Sequence, residues 1–286
     1  MIVVTTPSGH IGSKLAAKLI ADGQPVRILA RDPAKLDPAV KAKADIVIGS
    51  SDDPAALDTA LKGAEALFWV TPPGHVDGRF EPHYVHFAHV LTDAVQRSTL
   101  ARLVIVSSAG YPAYGAGPIG ALHRSEDICA AISIPKAILR CGSFAENFLQ
   151  YRQQFLAQSA IALPRPVELA IPICTASDVA EVAAQLLTGP AWTGTTYHLI
   201  YGFEDLDGRQ IAERFSALLG RSVRYQEVFE KTFVEGLLGH GVPSNLIDEL
   251  CAMHRAIREG LYQREARTPA STTPTTFASW LEQSFL

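Results

Sequence analysis

The segment Thr5-Thr6-Pro7-Ser8-Gly9-His10-Ile11-Gly12 sits between an apolar β-branched run and a helical pattern carrying Leu15, Leu19 and Ile20. In a Gly-x-x-Gly-x-x-Gly turn the glycines allow the bend, let backbone approach a pyrophosphate and let helix pack on strand, while helix N–H groups face the phosphates. Only the last two glycines are present, and Thr6 stands at the first position. A β-branched residue resists positive φ, so either the bend differs or phosphate is held more weakly, with the Ser8 hydroxyl compensating in part. The plainer alternative is a purely structural tight turn. Arg31 directly follows the second apolar run. At that place a carboxylate binds the adenosine ribose of NAD, whereas an arginine suits the extra phosphate of NADP, so NADP(H) is favoured over NAD(H). The competing role is a solvated arginine, since Asp32 beside it is itself a good helix cap.

Two further groups invite chemistry and carry less. His83-x-x-His86-x-x-His89, with His75 and Glu81 nearby, has the residue types of a metal site. On a helix, steps of three rotate each side chain by about 60°, so neighbours could share an ion but all three diverge, and no pair stands at i, i+4. No metal is expected, and a partly exposed helix, a candidate surface for a homodimer, is the better reading. Cys129, Cys141, Cys174 and Cys251 are scattered and never form Cys-x-x-Cys, which fits buried free thiols rather than zinc or a disulfide scaffold.

The elements that must position these residues are written in an alternating pattern. Strands are expected at Ile2–Thr5, Val26–Ala30, Asp45–Ile48, Ala66–Val70, Leu103–Ser107 and Ala137–Arg140, with helical stretches between them. Asp32-Pro33 and Asp53-Pro54 each supply a capping acceptor and a proline suited to a first helical turn. The expected fold is α/β, a doubly wound and mostly parallel sheet of Rossmann type, whose ligand lies beyond the carboxyl ends of the strands where strand order switches. After Phe144 the texture changes, with Leu163-Pro164-Arg165-Pro166 and Ile171-Pro172 interrupting long elements. Residues 1–145 are therefore expected to form the dinucleotide-binding domain and 146–286 a smaller substrate-binding portion, with 175–200 returning to the main sheet. Within it Thr175-Ala176-Ser177-Asp178 resembles a capping box, Tyr197–Ile200 reads as a strand, and Ile211, Phe215, Leu218 and Leu219 share a helical face, as do Leu246, Ile247, Leu250 and Ile257. Residues 267–276 read as an extended arm closed by a short helix at Phe277–Gln283.

At 286 residues and 48% hydrophobic content the chain can bury a core of globular size, and its formal net charge of −4 offers no field for gathering phosphate backbones. Nucleic acid is not an expected partner. No cationic leader precedes Ile2-Val3-Val4, and no stretch reaches the roughly 18 apolar residues of a spanning helix, so no membrane partner and a cytoplasmic location are expected.

The turn, the stretch 26–33, the strand with Thr71-Pro72-Pro73, the strand ending at Ser108, the segment Leu139-Arg140-Cys141-Gly142-Ser143-Phe144-Ala145-Glu146-Asn147 and the late Gly220-Arg221-Ser222-Val223 together resemble the NmrA-like branch of atypical short-chain dehydrogenases/reductases over nearly the whole chain. The resemblance implies an NAD(P)-binding fold, in a family holding reductases of quinones, dyes or plant phenolics, natural-product enzymes and cofactor-sensing regulators. It assigns Thr6, Ser8, Gly9, His10 and Ile11 to the pyrophosphate, Arg31 to the adenosine end, and Thr71 and Pro72 to the nicotinamide ribose. Ser107 and Ser108 stand where short-chain reductases keep a substrate-facing serine, Ser107 towards the cofactor and Ser108 among the catalytic candidates. Phe144 and Asn147 are expected to face substrate.

The departures bear on chemistry. Thr6 replaces the first glycine, and Ser50 stands where an aspartate often recognises adenine. Tyr111 is the catalytic-tyrosine candidate, but Gly115 follows it by four and Pro118 follows Tyr114 by four, so the usual Tyr-x-x-x-Lys pair is missing. Without that lysine nothing obvious lowers a tyrosine pKa from about 10. His123, on a helix expected to flank the cleft and matching a histidine of related reductases, is the remaining proton donor; its structural alternative is a packing residue. The expected function is an NAD(P)H-dependent reductase of a conjugated carbonyl, quinone or aromatic small molecule. The alternatives are a non-enzymatic NADP sensor and a tailoring enzyme for an aromatic natural product.

Overall fold

A computed structural model describes the backbone of residues 1–285, and the side chains of all of these but Tyr151, Gln154 and Gln158. The chain runs β1 (Ile2–Val4), α1 (His10–Ala21), β2 (Val26–Ala30), α2 (Pro38–Lys43), β3 (Asp45–Ile48), α3 (Pro54–Leu61), β4 (Ala66–Trp69), α4 (Phe80–Arg97), β5 (Arg102–Ser108), α5 (Gly117–Cys129) and β6 (Lys136–Cys141). There follow β7 (Ser143–Phe144), α6 (Arg152–Gln158), β8 (Ala160–Leu163), β9 (Ile171–Cys174), α7 (Ala176–Thr188), β10 (Thr195–Ile200), β11 (Asp205–Leu206), α8 (Gly208–Leu219), β12 (Arg224–Glu227), α9 (Glu230–Gly239), α10 (Ser244–Arg258) and α11 (Phe277–Ser284).

Seven strands make the main sheet in the order β10-β6-β5-β4-β1-β2-β3, and every pairing in it is parallel. The period of two along each strand divides the core. Ile2 and Val4, Ala66 and Phe68, and Val104 and Val106 point to the layer of α1 and α7, where Leu15, Leu19, Val179 and Leu187 meet them. Val3, Leu67 and Trp69, and Leu103 and Ile105 point to the opposite layer, against Leu57, Leu61, Phe87 and Leu91 of α3 and α4. A strand buried on both faces must be apolar throughout, which is why these runs are continuous rather than alternating. Chain order reverses between β1 and β4, so the crevice beyond their carboxyl ends is the switch point of the sheet.

The caps follow the local chemistry. Asp53 accepts from the Ala55 amide and opens α3, and Thr175 accepts from the Asp178 amide and opens α7. Asp32-Pro33 opens only a single 3-10 turn, Pro33–Lys35, and it is the following Asp37-Pro38 that caps α2. Beyond β6 an aromatic core of Phe148, Phe155, Phe215, Phe277, Trp280 and Phe285 forms, with ring centroids 4.8–6.4 Å apart. Two small sheets, β11-β9-β7 and β12-β8, frame it. The interruption expected at Ile171-Pro172 is instead strand β9, with Pro172 opposite Asp205 and the strand only four residues long. The arm 267–276 is tied down: Arg267 donates to the Tyr201 and Gly202 carbonyls, and Thr273 and Thr275 donate to the Asp178 carboxylate, both at 2.7 Å.

Candidate functional site

The turn after β1 is anchored before it bends. The Thr5 hydroxyl donates to the Phe68 carbonyl and accepts from the Val70 amide, each at 3.1 Å, which clamps the ends of β1 and β4 together. Thr6 then takes φ +48°, so the left-handed bend of the glycine pattern is kept although a threonine makes it. A β-branched residue holds that conformation at a cost of roughly 1–3 kcal/mol, sustained by the clamp on either side. Its hydroxyl is buried and meets no partner among the described residues. A Cβ on Gly12 would lie 2.3 Å from the Thr6 carbonyl oxygen, so only glycine lets α1 approach the bend this closely. No side chain caps α1 and no acid stands in its first turn. Its free amides and the positive end of its dipole therefore face the crevice, an arrangement suited to an anion.

The crevice is a cleft of about 690 Å³. Thr6, Ser8, Gly9, His10, Ile11, Arg31, Pro72, Phe144 and Asn147 all line it. At its far end Asp32 is occupied by the Ala34 amide at 3.0 Å, leaving Arg31 exposed and in no ion pair with a described residue. Lys35 lines the same end and adds a second cation, with Ser50 and Ser51 beside it. The other end is formed by Val70, Pro72 and Pro73 after β4, and by Phe144, Glu146 and Asn147 after β6. Helix α4 fixes the first of these walls, because His83 Nε2 lies 2.9 Å from the Pro72 carbonyl oxygen and the imidazole fills the space beside Gly74. Of the histidines on α4, His83 serves position here while His86 and His89 are exposed, and no described group of three His, Cys, Asp or Glu could hold a metal. Glu146 fixes the second wall. Its Oε1 accepts from the Ala176 amide at 3.1 Å and the Trp280 indole at 3.2 Å, while Oε2 is buried without a partner among the described residues, in a residue 8% exposed.

The remaining expected site residues lie off the cleft. Thr71 is buried and accepts from the Trp69 indole at 3.3 Å. Ser107 donates to Glu126 at 2.9 Å, joining the buried Glu126–Arg140 ion pair. Ser108 is buried, and its hydroxyl donates to the Ala109 carbonyl at 3.4 Å. The Tyr111 hydroxyl donates to Asp127 at 2.7 Å and its ring covers the Arg140 guanidinium at 4.2 Å. Hydrogen bonding with Tyr114 and with the Asp127 carboxylate pushes the Tyr111 pKa up, away from a proton donor's range. His123 is 0% exposed; its Nδ1 accepts from the Ala113 amide at 3.0 Å and its Nε2 donates to the Ser108 carbonyl at 2.8 Å. Burial lowers its pKa below 6.5, so the imidazole is neutral and both nitrogens are engaged by backbone. Its place is that of a clasp holding the loop 108–113 onto α5.

Sequence reasoning passed over Lys35 and Glu146. A second base four residues after Arg31 was available as a signal for the first. Nothing local marks the second, whose partners lie 30 and 134 residues away.

The chain has similar sequences and a similar fold among known proteins. The chain is 27% identical over 251 residues to the NAD(P)H azoreductase of Xenophilus azovorans, covering 87% of this chain and 85% of that one. It is 31% identical over 234 residues to the (4-alkanoyl-5-oxo-2,5-dihydrofuran-3-yl)methyl phosphate reductase of Streptomyces griseus, covering 80% and 77%. The crystal structure of the NADPH-dependent quinone oxidoreductase of Escherichia coli, complexed with NADPH, shares the fold with a TM-score of 0.78 at 22% identity, over 100% of both chains. The NmrA-like family model matches residues 1–281, from the turn at Thr6 through the arm and into α11, and with that span the chain belongs to the NmrA-like family.

Proposed function

We propose that this protein is an NADPH-dependent reductase of quinones or comparable electron-poor aromatic molecules. The observation that carries the reading is the cleft at the switch point, with an uncapped helix N-terminus at its middle and two cations at one end, Arg31 and Lys35, that form no ion pair with a described residue. The residues present fit a phosphorylated dinucleotide. The amides of α1 and the orphaned Thr6 hydroxyl suit a pyrophosphate, and Arg31 with Lys35 suits a ribose phosphate. NADPH supplies a hydride when bound.

The chain's own part is to orient and to exclude. Pro72 and Pro73, held by His83, and Phe144 with Asn147, held through Glu146, form the two walls between which a flat substrate is placed. Residues 1–145 hold the dinucleotide, and 146–286 cover the substrate side. In the overall reaction a quinone takes up a hydride and one proton and becomes a hydroquinone. Neither His123 nor Tyr111 is placed to give that proton, and a quinone oxygen can take it from water at the open end of the cleft. The azoreductase and quinone oxidoreductase names of relatives support this substrate class. Titration of the purified protein with NADPH and NADH, followed by a quinone and azo-dye panel, tests it. Tighter NADPH binding and NADPH oxidation are expected; binding without oxidation by any acceptor would instead favour a cofactor sensor.

A further inference from the structure

His10 is the first residue of α1, directly after the N-cap Gly9. It is exposed and lines the cleft, and its imidazole makes no hydrogen bond, ion pair or ring contact with a described residue. The Ser13 hydroxyl, 3.5 Å away, bonds only the His10 backbone carbonyl. A side chain that changes charge near neutrality therefore stands unengaged in the cleft, where the amides of α1 and the Thr6 hydroxyl already suit a pyrophosphate.

The charges around it offer a proton on that ring little support from the chain itself. No acid stands in the first turn of α1, and the helix dipole places positive potential at its start. Lys14, one turn further along α1, is exposed, and Arg31 and Lys35 add two cations in the same cleft. The acids of the cleft are engaged: Asp32 accepts from the Ala34 amide, and Glu146 from the Ala176 amide and the Trp280 indole. On α7, which packs along α1, Asp178 accepts from Thr273 and Thr275, and Glu181 pairs with Lys18 well beyond the first turn, as does Asp22. The other elements against α1 bring Lys41 and Lys43 on α2, whose cap Asp37 accepts from the Ala39 amide, and Arg27 on β2, which pairs with Asp45.

We propose that His10 is a phosphate contact that takes up its proton together with the dinucleotide. The inference rests on the dinucleotide reading of the cleft and adds the regulation of that site. A pyrophosphate brings two negative charges to the start of α1 and reverses the potential there, so the ring holds a proton to higher pH with the dinucleotide bound than without it. The bound state then carries more protons than the free one, and linkage fixes the sign: binding tightens as pH falls and weakens as pH rises. Arginine and lysine keep their charge across this range, so the slope belongs to the ring. The ribose phosphate of NADP⁺ ionises a second time near pH 6 and is a dianion above about pH 7, which leaves the slope above that point to His10.

Isothermal titration calorimetry with NADP⁺ tests this in the parent, His10→Gln and His10→Lys, in two buffers of different ionisation enthalpy so that protons taken up on binding are counted. The parent is expected to take up about half a proton near pH 7, and its Kd to rise about 3- to 10-fold between about pH 7 and pH 9. His10→Gln should bind at pH 7 about as weakly as the parent does at pH 9, with no uptake and a flat profile. His10→Lys keeps a cation at both values and should hold the parent's pH 7 affinity at pH 9, again without uptake. Binding by the parent without proton uptake, or uptake that persists in the glutamine variant, overturns the proposal and leaves the cofactor reading standing. A glutamine variant weakened equally at both pH values makes the ring a neutral contact and overturns it too, as does a lysine variant with the parent's pH dependence. No binding of NADP⁺ at either pH removes the cofactor reading and the proposal with it.

Discussion

Replacing His123 separates its two candidate roles, and the structure sets the size of the effect. The imidazole is 0% exposed and satisfies one amide, Ala113 N–H, and one carbonyl, Ser108 C=O, both of them buried. Truncation to alanine leaves both without a partner, at about 1–3 kcal/mol each, and opens a void where a ring had packed edge-on to Tyr111 at 5.3 Å. A loss of about 3–5 kcal/mol is expected for His123→Ala. In a chain of this size that lowers the melting temperature by roughly 5–8 °C. Glutamine can restore one of the two bonds, so His123→Gln should lose about half as much. In turnover the order differs from that of a general acid, whose removal typically costs about 10²–10⁴-fold. A folded His123→Gln is expected to reduce a quinone within about threefold of the parent, because a neutral clasp gives up no proton. Thermal melts beside steady-state kinetics decide it. A glutamine variant that melts with the parent and turns over a hundredfold more slowly would refute the clasp and restore His123 as the acid.

The other expectations concern the two ends of the cleft and the buried histidine of α10. Arg31→Ala and Lys35→Ala should each weaken NADPH binding about 3- to 20-fold with little effect on NADH, read by fluorescence titration; equal loss for both dinucleotides would remove these residues from the phosphate. Gly12→Ala places a Cβ 2.3 Å from the Thr6 carbonyl oxygen and should weaken NADPH more than tenfold by pushing α1 off the bend, whereas Gly236→Ala, with nothing within 4 Å, should leave binding intact. His254 has its pKa lowered from 6.5 to about 4. Between those values the unfolded chain binds a proton that the folded chain refuses, so stability is complete above pH 6.5 and falls towards pH 4. The fall is at most about 3.4 kcal/mol at 1.36 kcal/mol per pKa unit. Urea melts across this window should lose that part of the slope in His254→Asn, and an unchanged slope would contradict it.

What the sequence made legible is what neighbours in sequence determine. Runs such as Ile2–Val4 and Ala66–Trp69 are apolar because both faces are covered, and that pattern is local. The turn and Arg31 were readable for the same reason, since strand, bend and helix follow one another directly. Thr6 was readable as a departure but not in its consequence: whether the bend relaxes or is held depends on the Thr5 clamp to Phe68, 63 residues on. Ser107, Ser108, Tyr111 and His123 stand near the end of a main strand, where substrate-facing residues are usual. Which way each side chain turns was decided by Glu126, Asp127 and the backbone of residues 108–113. Glu146 carries no local pattern at all. The groups that hold it, the Ala176 amide and the Trp280 indole, belong to α7 and α11, which the chain reaches only later.

The central claim is that the cleft holds NADPH in one orientation and passes its hydride to an acceptor lying between the two walls. NADPH deuterated on one or the other face of the nicotinamide C4, oxidised by this protein with naphthoquinone, tests it most directly by mass analysis of the NADP⁺ formed. A single bound orientation predicts that one labelled isomer yields NADP⁺ free of deuterium and the other yields NADP⁺ that keeps all of it. A mixture from both isomers, or NADPH that binds and is never oxidised, would contradict the account.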